Sequence, residues 1–305
     1  MRKLSEVIVV TFMLFAFAQA WALENGSVPP GGTKMARLKE KAEAKEASAS
    51  YKAAAGLYKK LAAGSDVRRE KAAYLLKEAD CLFKANSTDK ASEAYKKLIR
   101  EYSLYLPFDR VVDNMRTLAE NYIAGKGTFW GLKDKDSGIS NYFFILTEAP
   151  SINVSLKDRL RLAQLLKSQQ RREEAVTVYQ DILKLDPTLD DIRLELANVL
   201  MELARNGDGD GAIRRAAVRQ ARIILDGSPK YARRDEAELI VAEANGLEAA
   251  SLLELGRFYL RGSHRKPEAA RMYLTDLVKR FPDSKPAWEA AGILDKLGPA
   301  EAGAK

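Results

Sequence analysis

Four residues at fixed offsets recur along this chain, and that recurrence limits its possible folds more than any other feature. In Ser155–Pro187 a small residue, Ala175, is followed four places later by Tyr179, seven later by Ile182 and twelve later by Pro187. At about 3.6 residues per turn the first three share one helix face. Proline cannot continue a helix and closes the unit. Gly138, Tyr142, Ile145 and Pro150 repeat the offsets upstream. Ala91, Tyr95 and Leu98 repeat them with Ser103 in the proline slot, and Ala54, Tyr58 and Leu61 form a degenerate first copy. Downstream, Ala217, Ile224 and Pro229 fit, with Ala221 in the aromatic slot. Ala269 and Tyr273 open a last copy whose Pro282 falls one place late.

A second pattern precedes each copy. Ala79 and Leu82, Ala119 and Tyr122, Ala163 and Leu166, Ala197 and Leu200, and Gly256 and Tyr259 each set a small residue three places before a large one. Where helices cross closely, the small residue admits the partner backbone and the large one fills the neighbouring gap. In Ser155–Pro187 the two helices flank a polar turn, SQQRREE. Helices this short cannot bury their apolar stripes alone and need copies on either side. This is the tetratricopeptide pattern, with its period of about 34 residues. It predicts an all-α, right-handed solenoid of antiparallel helix pairs over residues 34–298, without strands. A composition 47% hydrophobic and 30% charged suits such a fold.

The first twenty residues read as a signal peptide. Arg2 and Lys3 precede the apolar run Val7–Ala18, which is short for a bilayer span. Ala18-Gln19-Ala20 is a small-x-small cleavage site, and Ala20-Trp21-Ala22 is an alternative. An uncleaved anchor is the other reading. The expectation is an exported, periplasmic protein, peripheral at most to the inner face of the outer membrane. The only cysteine, Cys81, excludes an intrachain disulfide and reads as a packing residue. No cysteine ends the leader to carry a lipid, so no direct membrane anchor is evident. Net charge is +8 and falls by one on loss of the leader. A basic surface suits acidic proteins or anionic surfaces. Export and the spread of basic residues over every repeat argue against nucleic acid.

Residues 21–33 read as a flexible linker and 299–305 as a frayed tail. Lys34–Ala63 fits one long helix or a helical pair. Helices are expected over Arg68–Ala85, Lys90–Tyr102, Asp109–Ala124, Ser137–Thr147, Asp191–Arg205, Pro267–Phe281 and Lys285–Leu297. Tyr231–Arg261 is expected to break at Asn245-Gly246. The insertion GKGTFWGLKDKD (Gly125–Asp136) places Phe129 and Trp130 among glycines. A loop folded back over adjacent helices is the favoured reading, because large aromatics generally serve packing, and a partner contact is the rival. NGDGDG (Asn206–Gly211) resembles the start of a calcium loop. It lacks the twelfth-position glutamate, where Ala217 or Arg219 stands, and is read as a turn.

Three stretches carry a family likeness: YLPFDRVVDNMRTLAENYIAGKG (Tyr105–Gly127), the insertion TFWGLKDKD, and LLELGRFYLRGSHRKPEAARMYLTDLVKRFPDS (Leu252–Ser284). Together, over about Lys34–Leu297, they resemble the BamD-type tetratricopeptide proteins of the outer-membrane β-barrel assembly machine. The resemblance implies a periplasmic scaffold whose N-terminal repeats receive client segments and whose C-terminal repeats dock on the barrel-forming subunit. By it, Asp113, Arg116 and Glu120 would face a client peptide. Phe129, Trp130, Arg257, Arg261, His264 and Arg265 become partner-docking candidates. The missing lipid-bearing cysteine departs from the pattern. A periplasmic adaptor for cell-wall synthesis, division or polysaccharide export is the alternative.

No catalytic constellation is legible, and no cofactor or metal is expected. His264 is the sole histidine, in a basic turn, with no nucleophile or orienting carboxylate at a suggestive spacing. A carbohydrate-active helical-repeat enzyme would have to use Asp113 or Glu120 as acid and base, and both read equally well as surface charges. What remains is a surface. First helices of a repeat stack line a groove, which would hold Lys157, Leu160, Gln164 and Lys167, then Asp191, Leu194, Asn198 and Met201. That mixture suits a peptide, and an ordinary solvated face is the other reading.

Overall fold

A computed structural model describes residues 34–205, 207 and 211–298. The expected leader, linker and tail, and Asn206 with Asp208–Asp210 of the acidic turn, lie outside the described residues. The described residues are all-α, a helical-repeat fold with thirteen α-helices and no strand. They form two compact units that divide after Val154.

The N-terminal unit holds α1 (Lys34–Ala47), α2 (Tyr51–Ala63), α3 (Arg68–Lys84), α4 (Thr88–Tyr102), α5 (Phe108–Ala124) and α6 (Lys135–Glu148). The C-terminal unit holds α7 (Leu156–Ser168), α8 (Arg172–Leu185), α9 (Asp190–Arg205), α10 (Ala212–Gly227), α11 (Arg234–Phe258), α12 (Pro267–Arg280) and α13 (Lys285–Leu297). Each helix packs on the next within its unit. The repeat offsets explain why. Ala54, Tyr58 and Leu61, Ala91, Tyr95 and Leu98, and Ala175, Tyr179 and Ile182 are all buried. So are Ala217, Ala221 and Ile224.

The last copy needs a correction. The buried residues of α12 are Ala270, Leu274 and Leu277, not Ala269 and Tyr273. From Ala270 the offsets run true to Pro282. Tyr273 turns aside and stacks on Tyr259 at 5.7 Å between ring centroids. The stretch 231–261 also departs from expectation. One continuous helix, α11, runs through Asn245 and Gly246. A helical glycine costs only about 1 kcal/mol, and both halves of α11 are held by neighbours: α9, α10, α12 and α13. The turn between α7 and α8 is shorter than SQQRREE, because α8 already begins at Arg172.

Local chemistry sets the remaining boundaries. Ser155 and Asp158 form a reciprocal capping box at the start of α7. Asp134 caps α6 and Ser284 caps α13 through their side chains. Residues 34–63 resolve into a pair because the chain turns at Ala49, which has φ +55°. Glu46 then ties this pair to α3. Tyr58 Oη donates to it at 2.8 Å, Lys77 Nζ at 3.1 Å and Lys84 Nζ at 3.2 Å. Desolvation alone would raise the Glu46 carboxyl, but these donors together outweigh it and hold the group below its ordinary 4.5. A carboxylate depressed on folding stabilises above its unfolded pKa, and that contribution is lost as pH falls through the folded value. Acid unfolding of this unit should therefore begin below pH 4.5. Glu46→Gln should flatten that limb and lower stability at neutral pH by about 1 kcal/mol. Urea midpoints between neutral and acidic pH test this, and parallel curves for both proteins would refute it.

Candidate functional site

Four helices and two loops hold the residues singled out by sequence. On α5, Asp113, Arg116 and Glu120 share a face. Arg116 donates to Asp113 at 2.6 Å and, through its other terminal nitrogen, to the Asn153 carbonyl at 2.6 Å. Glu120 accepts from the Tyr142 hydroxyl at 2.8 Å. Each side chain thus has a structural use: Arg116 fixes the turn after α6, and Glu120 clamps α6 to α5.

In the C-terminal unit, Lys157, Leu160, Gln164 and Lys167 form one face of α7, exposed or half-buried as the pattern requires. The expected continuation on α9 is only partly right. Leu194 and Met201 are buried at 0% and 1% exposure. Neighbours α8, α10 and α11 press on α9, leaving a narrow accessible stripe that carries Asp191, Glu195, Asn198 and Glu202 instead. Glu195 accepts from Lys167 at 2.9 Å and from Arg233, before α11, at 3.4 Å. Arg172 of α8 reaches Glu202 at 2.7 Å. The face is a ladder of ion pairs across successive helices, each exposed pair worth about 0–1 kcal/mol. Buried Arg193, missed by sequence, donates to Gln220 at 2.9 Å and to the Pro187 carbonyl at 2.6 Å. Its neighbours Asp190, Asp191 and Glu195 make it look like one more charge of a solvated helix start, so no signal in the sequence marks it as buried.

The loop after α5 overturns the covering expectation for Trp130, which is 84% exposed. Backbone contacts hold the loop. Gly125 closes α5 at φ +75°, and a Cβ there would lie 2.2 Å from the Gly131 carbonyl oxygen. A Cβ on Gly127, at φ +68°, would lie 2.2 Å from the Asn86 carbonyl oxygen. Thr88 Oγ donates to the Lys126 carbonyl at 2.8 Å. The glycines let the loop lie against the α3–α4 turn and leave the tryptophan on the outside. The Phe129 side chain lies outside the described residues, as does that of His264.

At the end of α11, Arg257 pairs with Glu254 at 2.8 Å and with Glu289 of α13 at 2.6 Å. Arg261 lines a small cavity of about 360 Å³ with Glu254 and Phe258, and Arg265 is exposed. Cys81 is fully buried, and burial, reinforced by Glu46, pushes its thiol up to about 11. It packs and is not a poised nucleophile. Among the described residues, no cluster of three or more His, Cys, Asp or Glu could hold a metal ion, and no helix is long and apolar enough to cross a membrane.

The model of the tetratricopeptide repeat matches residues 73–104, 159–188 and 250–284. These spans cover α3–α4, α7–α8 and the end of α11 with α12. The chain carries tetratricopeptide repeats. A tetratricopeptide-repeat protein is a scaffold for protein–protein contacts, and such folds are generally not enzymes. Among solved structures, the C-terminal part of a TPR repeat-containing protein from Cytophaga hutchinsonii is similar at 13% identity, with a TM-score of 0.34, over 93% of this chain and 98% of that one. The TPR2AB-domain–pHSP90 complex of yeast Sti1 is similar at 13% identity, with a TM-score of 0.27, over 86% of this chain and 100% of that one. No curated protein sequence matches.

Proposed function

We propose that this tetratricopeptide scaffold works in the periplasm, in the assembly of outer-membrane β-barrel proteins, as the BamD-type resemblance implies. The observation that carries the reading is the exposure of Trp130 in the insertion that contributes to that resemblance. An 84% exposed tryptophan on a loop fixed by its own backbone suits a partner contact, since aromatic side chains are enriched among interface anchors. The leader-like first twenty residues support export.

The test is affinity capture of the full chain from envelope extracts. Recovery of a barrel-forming outer-membrane subunit is expected, and recovery of cell-wall enzymes alone would overturn the proposal. Trp130→Ala should abolish that capture while stability stays within about 0.5 kcal/mol, as for other surface substitutions. A large drop in melting temperature would instead make Trp130 a packing residue.

A further inference from the structure

In the N-terminal unit the second helices of successive pairs, α2, α4 and α6, offer two seams of different character. Between α4 and α6 the seam is closed. Ser92 Oγ donates to Asn141 Oδ1 at 2.8 Å, and the Phe144 ring lies under Arg100 at 4.9 Å and Lys96 at 5.9 Å. The repeat offsets identify the counterparts one pair earlier. On α2, Ala55, Lys59 and Ala63 stand where α4 has Ser92, Lys96 and Arg100. On α4, Ala94 and Lys97 stand where α6 has Asn141 and Phe144. Two alanines cannot form the hydrogen bond, and a lysine cannot supply the aromatic ring. All five of these residues instead line a cavity of about 690 Å³ between α2 and α4.

Helix α3 forms the floor, with Leu75 and Leu82 facing the cavity beside Ala55, Ala62 and Leu98 from the walls. Lys52, Lys59, Lys71, Lys90 and Lys97 surround it, against only Glu78 and Glu93. Glu93 pairs with Lys96 at 3.6 Å. Unlike Lys167 and Arg233 of the other unit, none of the five lysines is joined to a carboxylate by an ion pair among the described residues. Glu78 is desolvated on the floor, which raises its carboxyl against the pull of Lys59 and Lys97. The cavity is therefore recessed, apolar at its base and positive at its rim.

We propose that this seam docks an acidic peptide segment bearing an aromatic side chain, which occupies between α2 and α4 the place that Phe144 fills between α4 and α6. The wall on α2, from Lys52 to Ala63, extends about 17 Å, enough for about five extended residues. The recess favours a peptide over a lipid surface, which would need protruding apolar side chains. The seam belongs to second helices and is independent of the Trp130 loop, so its failure and that of the proposed function are separable.

The probe is a fluorescein-labelled peptide with one phenylalanine flanked by glutamates, titrated against the full chain by anisotropy. Binding should weaken at least about tenfold when the peptide's phenylalanine becomes alanine, or when its glutamates become lysines. Lys59→Glu with Lys97→Glu should abolish binding. Both lysines are exposed, and the only carboxyl they favour is that of Glu78, so adding Glu78→Gln should keep the melting temperature of the reversed protein at that of the Glu78→Gln variant. Ala94→Trp, which fills the seam, should weaken binding, and Glu78→Gln should tighten it. Absence of binding, equal binding of the phenylalanine and alanine peptides, or indifference to the lysine reversals would overturn the inference. Binding only to phosphatidylglycerol vesicles, lost in the same double variant, would also overturn it.

Discussion

Replacing Tyr95 with alanine should destabilise the N-terminal unit by about 3–5 kcal/mol, the range for deleting a core aromatic. Tyr95 is among the largest fully buried side chains, at 0% exposure. It sits on α4 in the aromatic slot of the repeat and joins three helices. Its hydroxyl donates to Asp80 of α3 at 2.7 Å and accepts from Asn114 of α5 at 2.8 Å. Burial, then Asp80, pushes the phenol far above its usual range, so it stays a neutral donor. Tyr95→Phe separates the two contributions. It keeps the ring and leaves Asn114 and Asp80 short of a partner, at a cost of about 1–3 kcal/mol. Asp80 retains Arg110 at 3.0 Å, so the lower end is expected. Urea unfolding with hydrogen exchange of the α4 amides reads both variants in the unit concerned. A Tyr95→Ala cost below about 1 kcal/mol would mean that the repeat offsets do not mark the core.

The second large effect has an unusual sign. Gly→Ala inside a helix ordinarily stabilises by about 1 kcal/mol. At Gly256 of α11 it should destabilise by about 1–3 kcal/mol, the cost of overpacking. A Cβ there would lie 2.5 Å from Leu274 Cδ2 and 2.7 Å from its Cγ. Leu274 is itself fully buried in the core of α11, α12 and α13, so it has nowhere to move. In a Leu274→Ala background the collision is gone, and Gly256→Ala should become stabilising. A double-mutant cycle measures the reversal. A stabilising Gly256→Ala in the otherwise unchanged chain would refute the close crossing of α11 and α12. Gly138 plays the same part between α5 and α6, where a Cβ would lie 2.7 Å from Ile123 Cγ1.

The sequence by itself determined the helices, most of their ends and the residues that face inward, because those depend on periodicity, capping and proline, all local properties. The offset that marked Tyr95 and Ile182 as core misplaced the last copy by one residue, at Ala269 and Tyr273, where the structure buries Ala270 and Leu274. Tertiary structure decided what local signals cannot carry. Whether Gly246 breaks α11 depends on neighbours packed along both halves. Whether Met201 is surface or core depends on how many helices press on α9. Whether Trp130 covers or protrudes depends on a backbone contact between Gly127 and Asn86, 41 positions apart in sequence. The open seam between α2 and α4 is an intermediate case. Its alanines and lysines are visible in the sequence, but only the closed seam beside it, held by Ser92, Asn141 and Phe144, gives their absence a meaning. Burial is a property of pairs of surfaces, and a single strand of letters records only one side of each.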